Sequence, residues 1–271
     1  MSSSNTIPAS VCDPDIIEGS ATADRIHGMR EACRVAAVVL DRMAAAVKPG
    51  VTTYDLDRLG KACMDELGAE SACYGYSGQK NLFPAYTCIS VNEEVVHGIG
   101  SLDKVINDGD LVSLDVVTRY RGYIGDNAKT VIAGDAASDA TRRLVKVTEE
   151  ALMLGIEQAR PGNRVGDISY AIQHWVEKHG FNVIREYVGH GVGLEMHEHP
   201  QIPNYGKRRT GPVIVSGMTL AIEPMVLMGD RNVRLLPDGW TVVSRDGKPA
   251  AHFEHTVLVT NKGAEVLTRV A

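Results

Sequence analysis

The chain carries an internal duplication, and that feature limits its possible folds more than any other. Lys48-Pro49-Gly50, Asp55-Leu56 and Leu67-Gly68 return as Arg160-Pro161-Gly162, Asp167-Ile168 and His179-Gly180, each 112 residues further on. Later, His97-Gly98-Ile99-Gly100 is echoed by His190-Gly191-Val192-Gly193, and Gly109 to Asp115 (GDLVSLD) by Gly217 to Glu223 (GMTLAIE). A unit present twice can fold about a pseudo-two-fold axis that brings equivalent positions together at the centre. Each copy ends an apolar strand in an acid, so acids are expected to meet there, and metal is the simplest reason for them to do so.

Helical spacing of Ile26, Met29, Cys33, Ala37, Leu40 and Ala44 predicts a first core-facing helix. Pro49-Gly50 ends it, and Thr52 or Thr53 can cap a second helix with Leu56, Leu59, Cys63 and Leu67 on its inner face. Gly68 suits the left-handed position after that helix. The second copy predicts helices near 139–159 and 165–179. Strand-like runs follow each pair: 111–117 and 123–133 about a turn at Tyr120-Arg121-Gly122, then 218–228, 233–236, 240–244 and 251–260. Runs of helices alternating with runs of antiparallel strands give an α+β fold with helices packed on one sheet. No Gly/Ser/Pro-rich linker separates the halves, so residues 22–271 read as one domain. Residues 1–21 read as a loose extension.

Composition narrows the function classes. A net charge of −6 argues against a general nucleic-acid surface. Lys207-Arg208-Arg209, set between Gly206 and Gly211-Pro212, reads as a solvated loop. The five cysteines (12, 33, 63, 73 and 88) are odd in number and form no C-x-x-C pair, which fits reduced thiols in the cytoplasm. No membrane span or signal peptide is visible.

The acids carry the chemistry. A hairpin loop centred between Tyr120 and Arg121 would set Asp115 directly opposite Asp126. Opposed residues have Cβ atoms ~4.5–5.5 Å apart, and like charges there destabilise a sheet. At ~4 Å and an effective dielectric of ~20 the repulsion is ~4 kcal/mol. A divalent ion between them reverses the sign. Glu223 and Glu254 lie in comparable apolar strands of the second half, and His190 completes the set. Four carboxylates balance two divalent ions, and this hard, oxygen-rich set suits Co, Mn, Fe or Zn. Two such ions can activate a water and polarise a carbonyl. His97 is added as the echo of His190, with a Gly-x-Gly tail that would allow a ligand to approach. His197 is added for its place seven residues after His190. His199, His252 and His255 are expected to be structural or solvated.

With these residues in place, the segments VNEEVVHGIG, LVSLDVVTRYRGYIGDNAKT, REYVGHGVGLEMHEHP, GMTLAIEPMV and FEHTVLVT resemble those of type I methionine aminopeptidases. The resemblance runs from about residue 22 to the C-terminus. It implies the pita-bread fold, whose pseudo-symmetry matches the duplication. It also implies Asp115, Asp126, His190, Glu223 and Glu254 as ligands of two divalent metal ions, with Asp126 and Glu254 bridging. Glu223 would move protons, His197 would stabilise the oxyanion, and His97 would contact the scissile amide nitrogen. Cys73, Tyr76, Cys88 and Trp240 match positions that hold the methionine side chain. Gln79 to Leu82 looks inserted, which makes Phe83 the expected aromatic at the pocket lip, and Met196 stands where many members have Phe.

The 33-residue step from His190 to Glu223 is similar to type I rather than type II members, and the short N-terminal extension to bacterial ones. The implied partners are nascent polypeptide N-termini with a small second residue, met at the ribosome, and the implied state is a monomer without membrane or nucleic-acid contacts. Two other readings are open. Prolidases and Xaa-Pro aminopeptidases share the ligands but usually carry a large additional N-terminal domain. A binding module on the same fold would have lost its ligands, whereas all five are present here.

Overall fold

The computed structural model describes residues 20–77 and 81–270. Most of the expected extension, and Gln79 and Lys80 of the expected insertion, lie outside them. Ser20 and Ala21, assigned to the extension by sequence, instead begin the first helix, α1 (Ser20–Ala46).

The duplicated motifs turn out to be helix punctuation. In front of α2 (Thr53–Leu67), Thr52 Oγ1 accepts from the Asp55 N–H and Asp55 Oδ2 accepts from the Thr52 N–H, each at 3.1 Å. Two of the helix's free N–H groups are thereby satisfied. In the second copy Asp167 Oδ2 accepts from the Arg164 N–H at 2.9 Å, ahead of α4 (Val165–Lys178). Gly50 and Gly162 share φ 90°, and Gly68 and Gly180 take φ 69° and 80°, a region that favours glycine. Between these motifs lies α3 (Asp139–Gln158), capped by Ser138 Oγ, which accepts from the Thr141 N–H.

Before α3 come β1 (Glu70–Ser71), β2 (Cys88–Val91), β3 (Glu94–Val96), β4 (Leu111–Tyr120) and β5 (Tyr123–Ile132). After α4 come β6 (Asn182–Val183), β7 (Val188–Gly191), β8 (Glu198–Pro203), β9 (Thr219–Ile222) and β10 (Met225–Leu227). The remainder are β11 (Val233–Leu235), β12 (Val242–Ser244), β13 (Ala250–His252), β14 (Glu254–Thr260) and β15 (Gly263–Val266). The main sheet runs β1-β4-β5-β14-β9-β7-β8, with β2 on β4 and β15 on β14. The two halves therefore meet at the β5–β14 seam, with β4 and β9 as equivalent neighbours on either side.

Alternation along the strands sends apolar residues to the helices and acids to the other face. Val112, Leu114 and Val116 of β4 pack with α1 and α2, which leaves Asp115 and Val117 on the opposite face. Leu220 and Ile222 of β9 pack with α3 and α4, while Ala221 joins the site-side cluster with Val117 and Trp240.

Two expectations about the strands need correction. The β4–β5 hairpin turns on Arg121 and Gly122, with Tyr120 paired to Tyr123. Both turn residues have positive φ, 51° and 86°, the two-residue geometry whose twist matches the strands. Asp115 therefore pairs with Ala128, and Asp126 with Val117. The register differs from the expected one by two residues, an even shift that keeps both aspartates on one face as diagonal neighbours. In addition, runs 218–228 and 251–260 are each broken, at Glu223-Pro224 and at Phe253. β10 and β13 pair with each other and, with β6, form a separate three-stranded sheet. Pro224 has no N–H to donate to a continuous ladder.

Candidate metal centre and active site

A row of cross-strand pairs builds the centre. Cys88 faces Asp115, Asp115 faces Ala128, and Ala128 faces Glu254. Paired residues share a face, so Asp115 and Glu254 point the same way with the small Ala128 between them. Asp126, two residues before Ala128, joins them. Glu223 enters from the break after β9. The β9–β14 and β10–β13 ladders, either side of that break, run in one register, which sets Glu223 against Glu254.

Asp126, His190 and Glu254 each offer a ligand atom within 4.8 Å of the others. His190 Nε2 lies 3.8 Å from Asp126 Oδ2 and 3.6 Å from Glu223 Oε1. Its Nδ1 sits 3.0 Å from the Gly191 carbonyl, which can only accept. The proton therefore belongs on Nδ1, and the Nε2 lone pair is aimed at the carboxylates.

The electrostatics favour a cation. Asp126 and Glu254 are 3% exposed, and the Glu223 side chain is 13% exposed. No lysine or arginine is among the residues lining this cavity. Burial raises Asp115 to about 6 against the pull of His252, with Glu223 adding to the rise. Asp126 is pushed well up by burial, Asp115 and Glu223. Glu254 rises through burial, Asp126, Glu223 and Asp115, and Glu223 through burial. His190 falls to about 4 through burial and His197, so its ring is neutral near pH 7. Asp115 Oδ1 and Glu254 Oε1 are buried without a hydrogen-bond partner. Orphaned carboxylate oxygens beside a neutral imidazole fit hard divalent ions and little else.

All thirteen residues singled out from the sequence line one cavity of about 270 Å³. Phe83 meets Trp240 edge-on at 5.2 Å between ring centroids, and Trp240 faces His97 at 6.5 Å. Cys73, Cys88 and Met196 complete this softer wall. At the mouth, exposed His197 has Nδ1 2.9 Å from the Tyr76 hydroxyl, and its ring stands 4.5 Å from that of His190. Burial lowers His97 to about 4, aided by His252 and His197.

The proposed reasons for His97 do not survive, although its place in the cavity does. Ser90 faces Ser113 as His190 faces Ala221, and Ser113 and Ala221 are equivalent in the repeat. His190's counterpart is thus Ser90, not His97. Nor does Gly98 make room for a ligand: a Cβ there would lie 2.2 Å from the Ile89 carbonyl oxygen, so the glycine lets the chain pass β2.

His252 is the clearest omission. It was expected to be structural or solvated, yet it lines the cavity with Nε2 3.5 Å from Glu223 Oε2. The available signal was its spacing two before Glu254, which shares a strand face. Tyr187, edge-on to His97 at 5.3 Å, was also missed, and no residue pattern pointed to it. His255 lies away from the cavity, with Nδ1 2.9 Å from Thr268 Oγ1, and His199 is exposed.

A buried carboxylate cluster with neutral imidazoles beside a small cleft is the site of a metal-dependent hydrolase. The chain belongs to metallopeptidase family M24, whose family model matches residues 27–261. It is 48% identical over 242 residues to methionine aminopeptidase 1 of Bacillus subtilis, covering 89% of this chain and 95% of that one. The structure superposes on that of a methionine aminopeptidase from Thermotoga maritima with TM-score 0.88 at 48% identity, over 91% and 97% of the two chains. A prolidase from Pyrococcus horikoshii shares the fold at TM-score 0.73 and 23% identity, but only 62% of its length is covered. The curled antiparallel sheet with its helices is the pita-bread fold of these proteins.

Proposed function

We propose that the chain removes the N-terminal methionine from peptides and nascent proteins with a small second residue. The observation that carries this is the joining of the carboxylate cluster, in one small cavity, to a wall of Tyr76, Phe83 and Trp240. At about 270 Å³ the cavity falls below the ~300–1,000 Å³ usual for drug-sized ligands. That volume suits one side chain and its amino terminus. Sulfur against ring edges favours methionine over an aliphatic chain of similar length.

Asp115, Asp126, His190, Glu223 and Glu254 would hold two divalent ions, which supply an acidified water and a polarised scissile carbonyl when bound. Glu223 takes the proton from the attacking water and returns it to the departing amine. His197 donates to the developing oxyanion from Nε2, the tautomer in which the Tyr76 hydroxyl, 2.9 Å from Nδ1, is the donor to that nitrogen. His97 reaches the scissile amide nitrogen from the aromatic side. Co, Mn, Fe and Zn all suit this ligand set. Residues 22–271 form one catalytic unit, acting as a monomer in the cytoplasm on chains leaving the ribosome. Among the described residues no helix is long and apolar enough to cross a membrane.

The test is release of free amino acid from Met-Ala-Ser, Met-Leu-Ser and Ala-Pro-Ala by metal-stripped protein, with and without Mn²⁺ or Co²⁺. Metal-dependent release from Met-Ala-Ser alone is expected. Cleavage of Ala-Pro-Ala instead would place the chain with the proline-specific branch of the family.

A further inference from the structure

Glu223 lies between two imidazoles, and only one of them has a role so far. Oε1 faces His190 Nε2 at 3.6 Å, and Oε2 faces His252 Nε2 at 3.5 Å. We propose that His252 is a positioning residue for Glu223, its Nε2–H holding Oε2 so that Oε1 stays on the ion side. The proposal rests on the reading of Glu223 as ligand and proton carrier.

Three observations support it. First, His252 is 2% exposed and its Nε2 is buried without an ordinary hydrogen-bond partner. A buried N–H left unpaired costs about 1–3 kcal/mol, and Glu223 Oε2 lies within ion-pair distance of it at 3.5 Å. Closing the gap to a normal length of ~2.9 Å needs a shift of a few tenths of an ångström. Second, the backbone of His252 is clamped. Its N–H donates to Thr130 Oγ1 at 2.8 Å, and Thr130 Oγ1 donates back to its carbonyl at 2.9 Å. Thr130 then has no proton left, so Ser113 must be the donor in their 2.8 Å contact. The chain Ser113–Thr130–His252 thus fixes the backbone that carries the imidazole from β4 and β5. Third, Glu223 lies in the break between β9 and β10, outside the strand ladders. No lysine or arginine lines the cavity, and His252 Nε2 at 3.5 Å is a donor within reach of Oε2.

The test compares H252Q, which keeps an N–H donor, with H252M, which fills similar space without one. Metal affinity by calorimetry, the visible spectrum of the Co²⁺-loaded protein, and turnover of Met-Ala-Ser at saturating metal are read for each. Wild-type turnover in the same assay separates failure of this proposal from failure of the functional reading. H252M is expected to lose about 10–100-fold in kcat with KM little changed, the usual scale for a partner behind a metal ligand. H252Q should recover most of that loss and keep the wild-type Co²⁺ spectrum. In an E223Q background, H252M should weaken Mn²⁺ binding no further, because both substitutions remove one interaction. A wild-type kcat in H252M would overturn the proposal. So would a folded, metal-loaded H252Q that is no better than H252M, or a spectrum altered in H252Q, which would make His252 a ligand. If H252M does not fold, H252Q alone decides: a tenfold loss of kcat contradicts the role.

Discussion

Asp115 states in one side chain what the whole centre requires. Burial holds its carboxyl near 6, above the usual ~3.9. A carboxyl raised on folding favours the fold while protonated, so this contribution is whole below about pH 4 and lost as pH rises through about 6. Metal-free protein should therefore be stabilised by D115N, and more at pH 7.5 than at pH 5. Urea unfolding in a chelator at the two pH values measures this, and an equal gain at both would contradict the buried, ion-free carboxylate. With Mn²⁺ present the sign should reverse, because the asparagine then removes a ligand. Tyr76 gives a smaller prediction. Y76F removes a neutral hydrogen bond to His197 worth ~0.5–1.5 kcal/mol, so kcat should fall about 2–10-fold without loss of metal. Steady-state kinetics with parallel metal analysis separates those two effects.

Among elements, the β4–β5 hairpin shows how local backbone chemistry overrides a plausible register. The sequence reading placed the loop one residue early and so opposed the two aspartates directly. The positive φ of Arg121 and Gly122 moves every pair by two, which the shared face tolerates. The face of each acid was therefore legible from alternation, whereas its partner was not, because that depends on turn geometry. The break at Glu223-Pro224 was legible, because an acid and a residue without an N–H interrupt the apolar run there, whereas no turn residue marks the break at Phe253. G122A should test the turn. Alanine at φ 86° costs ~1–2 kcal/mol, enough to lower Tm by ~2–8 °C in a protein near this size. Scanning calorimetry should show that fall with the metal site intact. An unchanged Tm would mean the turn does not fix the register.

At the scale of the molecule, the repeat did two jobs that the sequence blended into one. Pro-Gly, the capping aspartates and the C-terminal glycines repeat because each half needs the same helix boundaries. Asp115 and Glu223 repeat because the halves meet at β5–β14 and their acids converge. The His-Gly-x-Gly echo belongs to neither: its two histidines reach one cavity from non-equivalent places, His97 just after β3 and His190 within β7. The acids and His190 could be read from the chain because acids are costly in apolar strands. His252 carried a weaker signal, its spacing two before Glu254, and Tyr187, outside the strands ahead of β7, carried none.

Calorimetric titration of metal-stripped protein with Mn²⁺, with methionine release from Met-Ala-Ser followed in parallel, tests the central claim most directly. The account predicts binding of two ions, turnover that appears as they bind, and a loss of at least about 100-fold on both measures in D126N or E254Q. Full turnover in excess chelator, or Mn²⁺ binding unaffected by either substitution, would contradict it.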